Sequence, residues 1–231
     1  MTLYEIITTC LYLLDNDSVV SVLDNLLPYY NNYKYGSGYT LVEPNTVLSP
    51  QDYINLTGEE CRKREYDSRT KLAETNNRAL RQLKLITNKV LKLISTSCLP
   101  CAKKVTISVN DNCYDLSEIE DFMSIKSIKL ISSDKFNSYK IINNKLYIDS
   151  GEYELIYYYK IDDYDYFEII NDFPRTLTYL AVVDGVLGEY YILNGFYDEA
   201  DYYLARFEKQ MLNASRKNCE VRIKERLWLW L

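Results

Sequence analysis

Hydrophobic positions change their period along this chain, and each change predicts a different kind of element. In residues 2–27, Leu3, Ile6, Ile7, Cys10, Leu11 and Leu14 recur at spacings of three and four, and Val19, Val22, Leu23 and Leu26 continue after Asp17 and Ser18. This pattern predicts two short helices, the second capped by Asp17 or Ser18 and ended by Pro28. Periodicity is then lost over residues 28–58, which hold Pro28, Gly36, Gly38, Pro44 and Pro50 and predict a long loop. Loops of this length inside compact domains tend to be functional or disordered. Its tyrosines (Tyr29, Tyr30, Tyr33, Tyr35 and Tyr39) suit a contact role.

Helical spacing returns over residues 59–97. Leu72, Ala79, Leu83, Ile86, Val90 and Leu93 fall on one stripe, widened by Leu80, Leu91 and Ile94, as on a face meant for a partner helix. One continuous helix here would span roughly 58 Å, long enough to expect a break near its middle. Residues 103–160 switch to short β-branched and aromatic runs: KKVTISV, SIKSIKLIS, SYKII, KLYI and YELIYYYKI. Asn143-Asn144 suits a tight hairpin turn and Asp149-Ser150-Gly151 the next, while DLSEIEDFM reads as a helical turn. Beyond the acidic link DDYDYFE, Asp172 and Pro174 suit a helix start. Leu177, Leu180, Ala181, Leu187 and Tyr191 mark that helix's face, and Asn194-Gly195 its end. Ala200, Leu204, Phe207, Met211 and Ala214 mark the face of a last helix beginning at Asp198.

The predicted fold is α+β. It is mainly a helical bundle with a long central helix and a C-terminal αα-hairpin, plus an inserted small antiparallel β subdomain. The corresponding segments are 1–58 for the first helices and Tyr-rich loop, 59–102 for the long helix, 103–161 for the β subdomain, 162–219 for the hairpin and 220–231 for an apolar tail. That tail reads RLWLWL at its end and contains both tryptophans of the chain. Bulky residues alternate along it on both faces, so it demands burial on both sides. Arg226, Leu227, Trp228, Leu229, Trp230 and Leu231 are therefore read as a partner-docking element, with Arg222 and Arg226 set to pair with acids on a partner's rim. A tail folded back on its own helices is the alternative.

Composition narrows the chemistry. The 231 residues include 47% hydrophobic positions, enough to bury a substantial core, and seven glycines, too few for a turn-rich all-β sandwich. No apolar run reaches membrane-spanning length, and the N-terminal run lacks a basic flank and contains Glu5, so neither a membrane span nor a signal peptide is expected. Six cysteines without secretory cues read as reduced thiols. Twenty-four tyrosines suit interfaces, because tyrosine brings large contact area at little rotamer entropy. The absence of histidine removes the commonest general base and metal ligand at once.

Candidate chemistry is sparse. Cys98-Leu-Pro-Cys101 has redox spacing, but it lies after a helix and before a strand, whereas a reactive pair opens a helix. A zinc site would need a second pair. The reading is buried structural thiols, with metal binding and redox chemistry as alternatives. Asp162, Asp163, Asp165, Glu168 and Asp172 are dense enough for a cation site or carboxylate chemistry, yet lack EF-hand spacing and read as a solvated connection. No phosphate loop, nucleophile elbow or kinase signature occurs. Neither a catalytic residue, a metal nor a cofactor is expected. Against a net charge of −6, residues 78–104 carry Arg78, Arg81, Lys84, Lys89, Lys92, Lys103 and Lys104 and no acid. This basic face is either solvated or turned to an acidic partner or to DNA.

The order of elements over residues 76–214 resembles the head-to-tail adaptor family of tailed bacteriophages: the connector, head-completion and tail-tubular proteins. The resemblance runs from a long helix ending in KVLKLIS, through KKVTISV, an acidic turn, SIKSIKLIS and YKIINNKLYIDSGEYELIYYYK, to FPRTLTYLAVVDGVLGEYYILNGFYDEADYYLARFEKQM. The strand GEYELIYYYK and the helix pair around LTYLAVVDGVLGEYYILNGFYDEA carry it most. The resemblance implies a structural virion protein of the neck, made in the host cytoplasm. It would form a homo-oligomeric ring, commonly twelve-fold, bound to the portal protein and to the tail or next neck protein. DNA would pass through with transient non-specific contact, and the C-terminal extension would reach into the portal. The other classes are a non-viral protein–protein interaction module and a metal hydrolase using the carboxylates of residues 162–168.

Overall fold

The structure, a computed structural model, describes residues 1–36, 58–132 and 138–218. It mixes helices with two small antiparallel sheets, and the chain divides into two compact units. The first comprises Met1–Val90, Tyr164–Asn171 and Leu177–Met211; the second comprises Leu91–Asp163, Asp172–Thr176 and the end of the last helix from Leu212.

In the first unit, α1 (Leu3–Leu13) begins at a reciprocal cap: the Glu5 amide donates to Thr2 Oγ1 and the Thr2 amide to Glu5 Oε2. The predicted second helix follows as α2 (Asp17–Asp24). Pro28 does not end the helical region. It occupies the first turn of a third helix, α3 (Leu27–Tyr35), where its missing N–H costs nothing. That helix takes Tyr29 and Tyr30 out of the predicted loop and buries them, Tyr30 against Tyr33, Tyr66 and Phe167. Residues 37–57, which hold the rest of the loop with Tyr39, lie outside the described residues.

The predicted long helix is two, α4 (Gly58–Asn76) and α5 (Arg78–Leu93), and α5 runs into a π-helical turn, Ile94–Cys98. The break falls near the predicted middle, at Asn77, whose side-chain amide donates to the Ala73 carbonyl and competes with the helix ladder. Lys84 Nζ lies 3.0 Å from Glu74 Oε1. Ten residues of straight helix rise about 15 Å, more than these two side chains span, so the ion pair requires a bend between them. The stripe rotates accordingly: Leu80, Leu83, Ile86, Val90, Leu91 and Ile94 are buried, while Leu72 and Leu93 are exposed.

Two further helices, α6 (Tyr179–Leu193) and α7 (Tyr197–Asn218), complete the helical elements. The start of α6 is not Asp172. Thr178 caps it, its Oγ1 accepting from the Ala181 amide, while Asp172 accepts the Tyr159 hydroxyl instead. Every residue from Ala181 to Gly188 is buried, so α6 is enclosed on all sides over this length. A Cβ at Gly188 would stand 2.6 Å from Leu204 and one at Gly185 2.9 Å from Phe207, so these glycines permit the close approach of α7. The α7 face is the predicted one, with Ala200, Phe207, Met211 and Ala214 buried.

In the second unit, β1 (Ala102–Val109), β6 (Gly151–Tyr159) and β3 (Phe122–Leu130) form one sheet in the order β1-β6-β3. A second sheet has the order β2-β5-β4, from β2 (Cys113–Asp115), β4 (Lys140–Ile142) and β5 (Lys145–Tyr147). Strict alternation along β6 sends Tyr153, Leu155, Tyr157 and Tyr159 to one buried face, joined by Ile107, Val109 and Ile128. Asn143 and Asn144 both take positive φ, the turn that matches strand twist in a two-residue hairpin. The expected helical turn is a short 3₁₀ segment, Leu116–Glu118.

Candidate interaction surface

The basic run and the acidic run, separate in sequence, meet in the fold. Lys84 pairs with Glu74 and Asp165, at 3.0 and 3.2 Å, and lies over the Tyr166 ring. Lys89 pairs with Glu189 at 2.6 Å and Lys92 with Asp163 at 2.7 Å. On β1, Lys103 pairs with Asp121 and Lys104 with Glu154. Arg78 and Arg81 are exposed on α5. The acidic segment is held further by Glu168, which accepts the Asp165 amide, and by Asn88, whose side chain bonds both backbone groups of Tyr164. Of the carboxylates suggested for a cation site or hydrolysis, Asp163 and Asp165 therefore face lysines, Glu168 a backbone amide and Asp172 the Tyr159 hydroxyl. Among the described residues, no three cysteine or carboxylate side chains gather as a metal cluster.

Cys98 and Cys101 are free thiols flanking the π-turn and β1. Burial raises both pKa values, that of Cys101 to about 11 with help from Asp172, the opposite of a reactive thiol. The predicted docking residues Arg226, Leu227, Trp228, Leu229, Trp230 and Leu231 lie outside the described residues.

A surface not singled out in the sequence appears where α6 turns into α7. Gly195, at φ +82°, supplies the left-handed residue that ends α6. Around it Tyr191 stacks on Tyr203, with centroids 5.6 Å apart, and meets Phe196 and Tyr190 edge-on. Tyr202 meets Tyr203 edge-on and lies under the Arg206 guanidinium. These contacts order the rings without covering them. Leu193 is 61% exposed and Tyr197 67%, with Ile192, Phe196 and Tyr202 beside them in the chain also exposed. Asp198 and Glu199 in the first turn of α7, with Asp201 just after it, form an exposed acidic rim. Burial raises the Tyr191 phenol pKa, and the neighbouring Tyr203 and Glu199 add to it. Its sequence signal is the density of rings in YYILNGFYDEADYY.

The second exposed apolar surface is the β4–β5 hairpin. All three β4 residues are exposed, so Ile141 and Ile142, on opposite faces of the strand, are both uncovered. Tyr139 and Tyr147 are exposed beside them, and Lys140 and Lys145 flank the Asn143-Asn144 turn. A groove of about 490 Å³ in the first unit is lined by Val22, Leu26, Tyr29, Arg69, Leu72 and Asn76, among others. Arg69 lies over the Tyr29 ring there, and among the described residues no carboxylate lines the groove. No described helix is long and apolar enough to cross a membrane. The chain matches no protein-family model and no curated protein sequence.

Proposed function

We propose that this chain is a structural, non-catalytic protein of a tailed-bacteriophage neck, a head-to-tail adaptor that assembles as a ring of about twelve copies between portal and tail. The observation that carries the reading is the acid-rimmed aromatic surface at the turn between α6 and α7. It lies within the stretch that resembles the adaptor family, and an ordered cluster of exposed tyrosine, phenylalanine and leucine is the composition of a protein-binding face. In this reading α6 and α7 are the αα-hairpin of a helical bundle, and Arg78 and Arg81 are the side chains left to touch passing DNA. Residues 226–231 anchor the chain to the portal through Trp228 and Trp230, the residue type most frequent at interface hot spots.

The test is the copy number and symmetry of the chain in its native particle, by imaging or mass measurement. A closed ring is expected; a single copy without rotational symmetry overturns the proposal. Deleting residues 227–231 is expected to leave the melting temperature nearly unchanged and to abolish attachment to the particle. A truncated chain that melts far lower places the tail in the chain's own core.

A further inference from the structure

We infer that the two exposed apolar surfaces are the two halves of one contact between copies of this chain, the β4–β5 hairpin of one copy seating on the α6–α7 turn of the next. The inference rests on the reading of the chain as a self-assembling protein and names the faces that meet. Three observations carry it. The first is that β4 has no packed face: Ile141 and Ile142 are consecutive, point to opposite sides and are both exposed, Ile142 by 53%. An edge strand with apolar residues on both sides is an aggregation hazard unless something covers it, and β4 carries no proline or bulge to prevent pairing.

The second observation is the receiving surface, where Leu193, Phe196, Tyr197 and Tyr202 are exposed, Phe196 and Tyr202 being ordered edge-on against the stacked pair of Tyr191 and Tyr203. The third is charge. Residues 138–148, which hold the hairpin, contain Lys140 and Lys145 and no acid, whereas the receiving surface is rimmed by the exposed Asp198, Glu199 and Asp201, with Arg206 over the Tyr202 ring as its one nearby base among the described residues. Basic-rimmed and acid-rimmed apolar surfaces on one chain are complementary to each other and repel their own kind. Because the two faces are different, the contact is heterologous, and repeating it closes a ring or extends a filament.

Charge exchange tests this. One variant carries Lys140→Glu and Lys145→Glu, the other Asp198→Lys and Glu199→Lys. All four side chains are exposed, and unchanged circular dichroism and melting show that each variant folds. Sedimentation velocity of the wild type at rising concentration and low salt is expected to show self-association that weakens in high salt. Each variant alone is expected to sediment as a monomer, with at least a tenfold loss of association. Mixed in equal amounts, the two are expected to recover association, because every contact then joins opposite charges. Variants that associate as well as the wild type overturn the inference and leave a ring built on other faces standing. A wild type that stays monomeric overturns it too, and assigns the two surfaces to other partners or to none. A single copy in the native particle would instead remove the ring reading itself.

Discussion

The side chain of Asn88 forks onto the backbone of Tyr164: its Nδ2 donates to the Tyr164 carbonyl at 3.1 Å, and its Oδ1 accepts the Tyr164 amide at 2.8 Å. One buried amide on α5 thus satisfies both backbone groups of an irregular segment seventy-six residues away, as a neighbouring strand would. Asn88→Ala removes both of these hydrogen bonds and is expected to cost about 2 kcal/mol, a fall of about 4–8 °C in Tm. Asn88→Asp keeps the size but turns a carboxylate oxygen toward the Tyr164 carbonyl and is expected to cost more. Denaturant unfolding of both variants checks this; an alanine variant within about 0.5 kcal/mol of wild type refutes the anchoring role.

Lys84 lies between Glu74 and Asp165, with a side chain 23% exposed. Burial alone would lower its pKa, but the two carboxylates outweigh burial and raise it. Lys84→Met keeps the stem and leaves the two acids facing each other, and is expected to cost about 2 kcal/mol, reduced from the fully buried case by the partial exposure. A lysine whose pKa rises on folding stabilises the fold below its unfolded pKa, and that contribution disappears as pH climbs through the folded value. The wild type's advantage over Lys84→Met is therefore expected to be full at pH 7 and to shrink only above about pH 10. Parallel urea titrations at pH 7, 9 and 10.5 read it directly.

Asp184 is 3% exposed within α6, accepting from Gln210 Nε2 at 2.5 Å and facing Arg206 Nε at 3.3 Å. Burial raises its pKa, only partly offset by Arg206 and Gln210. A carboxyl with a raised folded pKa opposes folding when ionised. That cost is present above the folded pKa and is relieved as pH falls toward the unfolded value of about 3.9. Asp184→Asn, which can still accept from Gln210, is expected to equal or exceed wild-type stability at pH 7, with the difference closing as pH falls toward the unfolded carboxyl value. Greater stability of the wild type at pH 7 would show that the Arg206 pair dominates.

Gly188 lies within van der Waals reach of Leu204, Cγ of which would be 2.7 Å from a new Cβ. Gly188→Ala removes the helix cost of glycine, about 1 kcal/mol, but forces the branch point of Leu204 away. The expected net effect is a loss of about 1–3 kcal/mol. Shortening the neighbour in the double variant Gly188→Ala, Leu204→Ala should make the two changes non-additive, recovering part of the sum. Strict additivity would mean that the two residues do not share this space.

Local rules explain most of what could be read from the chain. The period-2 run GEYELIYYY is a strand with alternate tyrosines buried, and the Asn143-Asn144 pair is the expected left-handed turn between β4 and β5, because side-chain alternation and φ preference act over a few residues. The α7 stripe and the Asn194-Gly195 stop are legible for the same reason. The helix start at Thr178 was not legible, because Asp172 is as good a cap by type. What removes it is a distant partner, the Tyr159 hydroxyl.

By itself, then, the sequence determined the kinds of element, their order and most of their buried faces, since these follow from propensity and periodicity within a window of a few turns. Tertiary structure alone decided which charges are spent and which apolar residues stay uncovered. Lys84 and Asp165, like Lys92 and Asp163, are more than seventy residues apart, and only folding turns a basic run and an acidic run into internal ion pairs. Leu193 and Tyr197 are as apolar as many buried residues, and only the lack of a packed neighbour where α6 ends and α7 begins leaves them in solvent. Burial is a property of what lies on the other side of a residue, and that neighbour is placed by the whole chain.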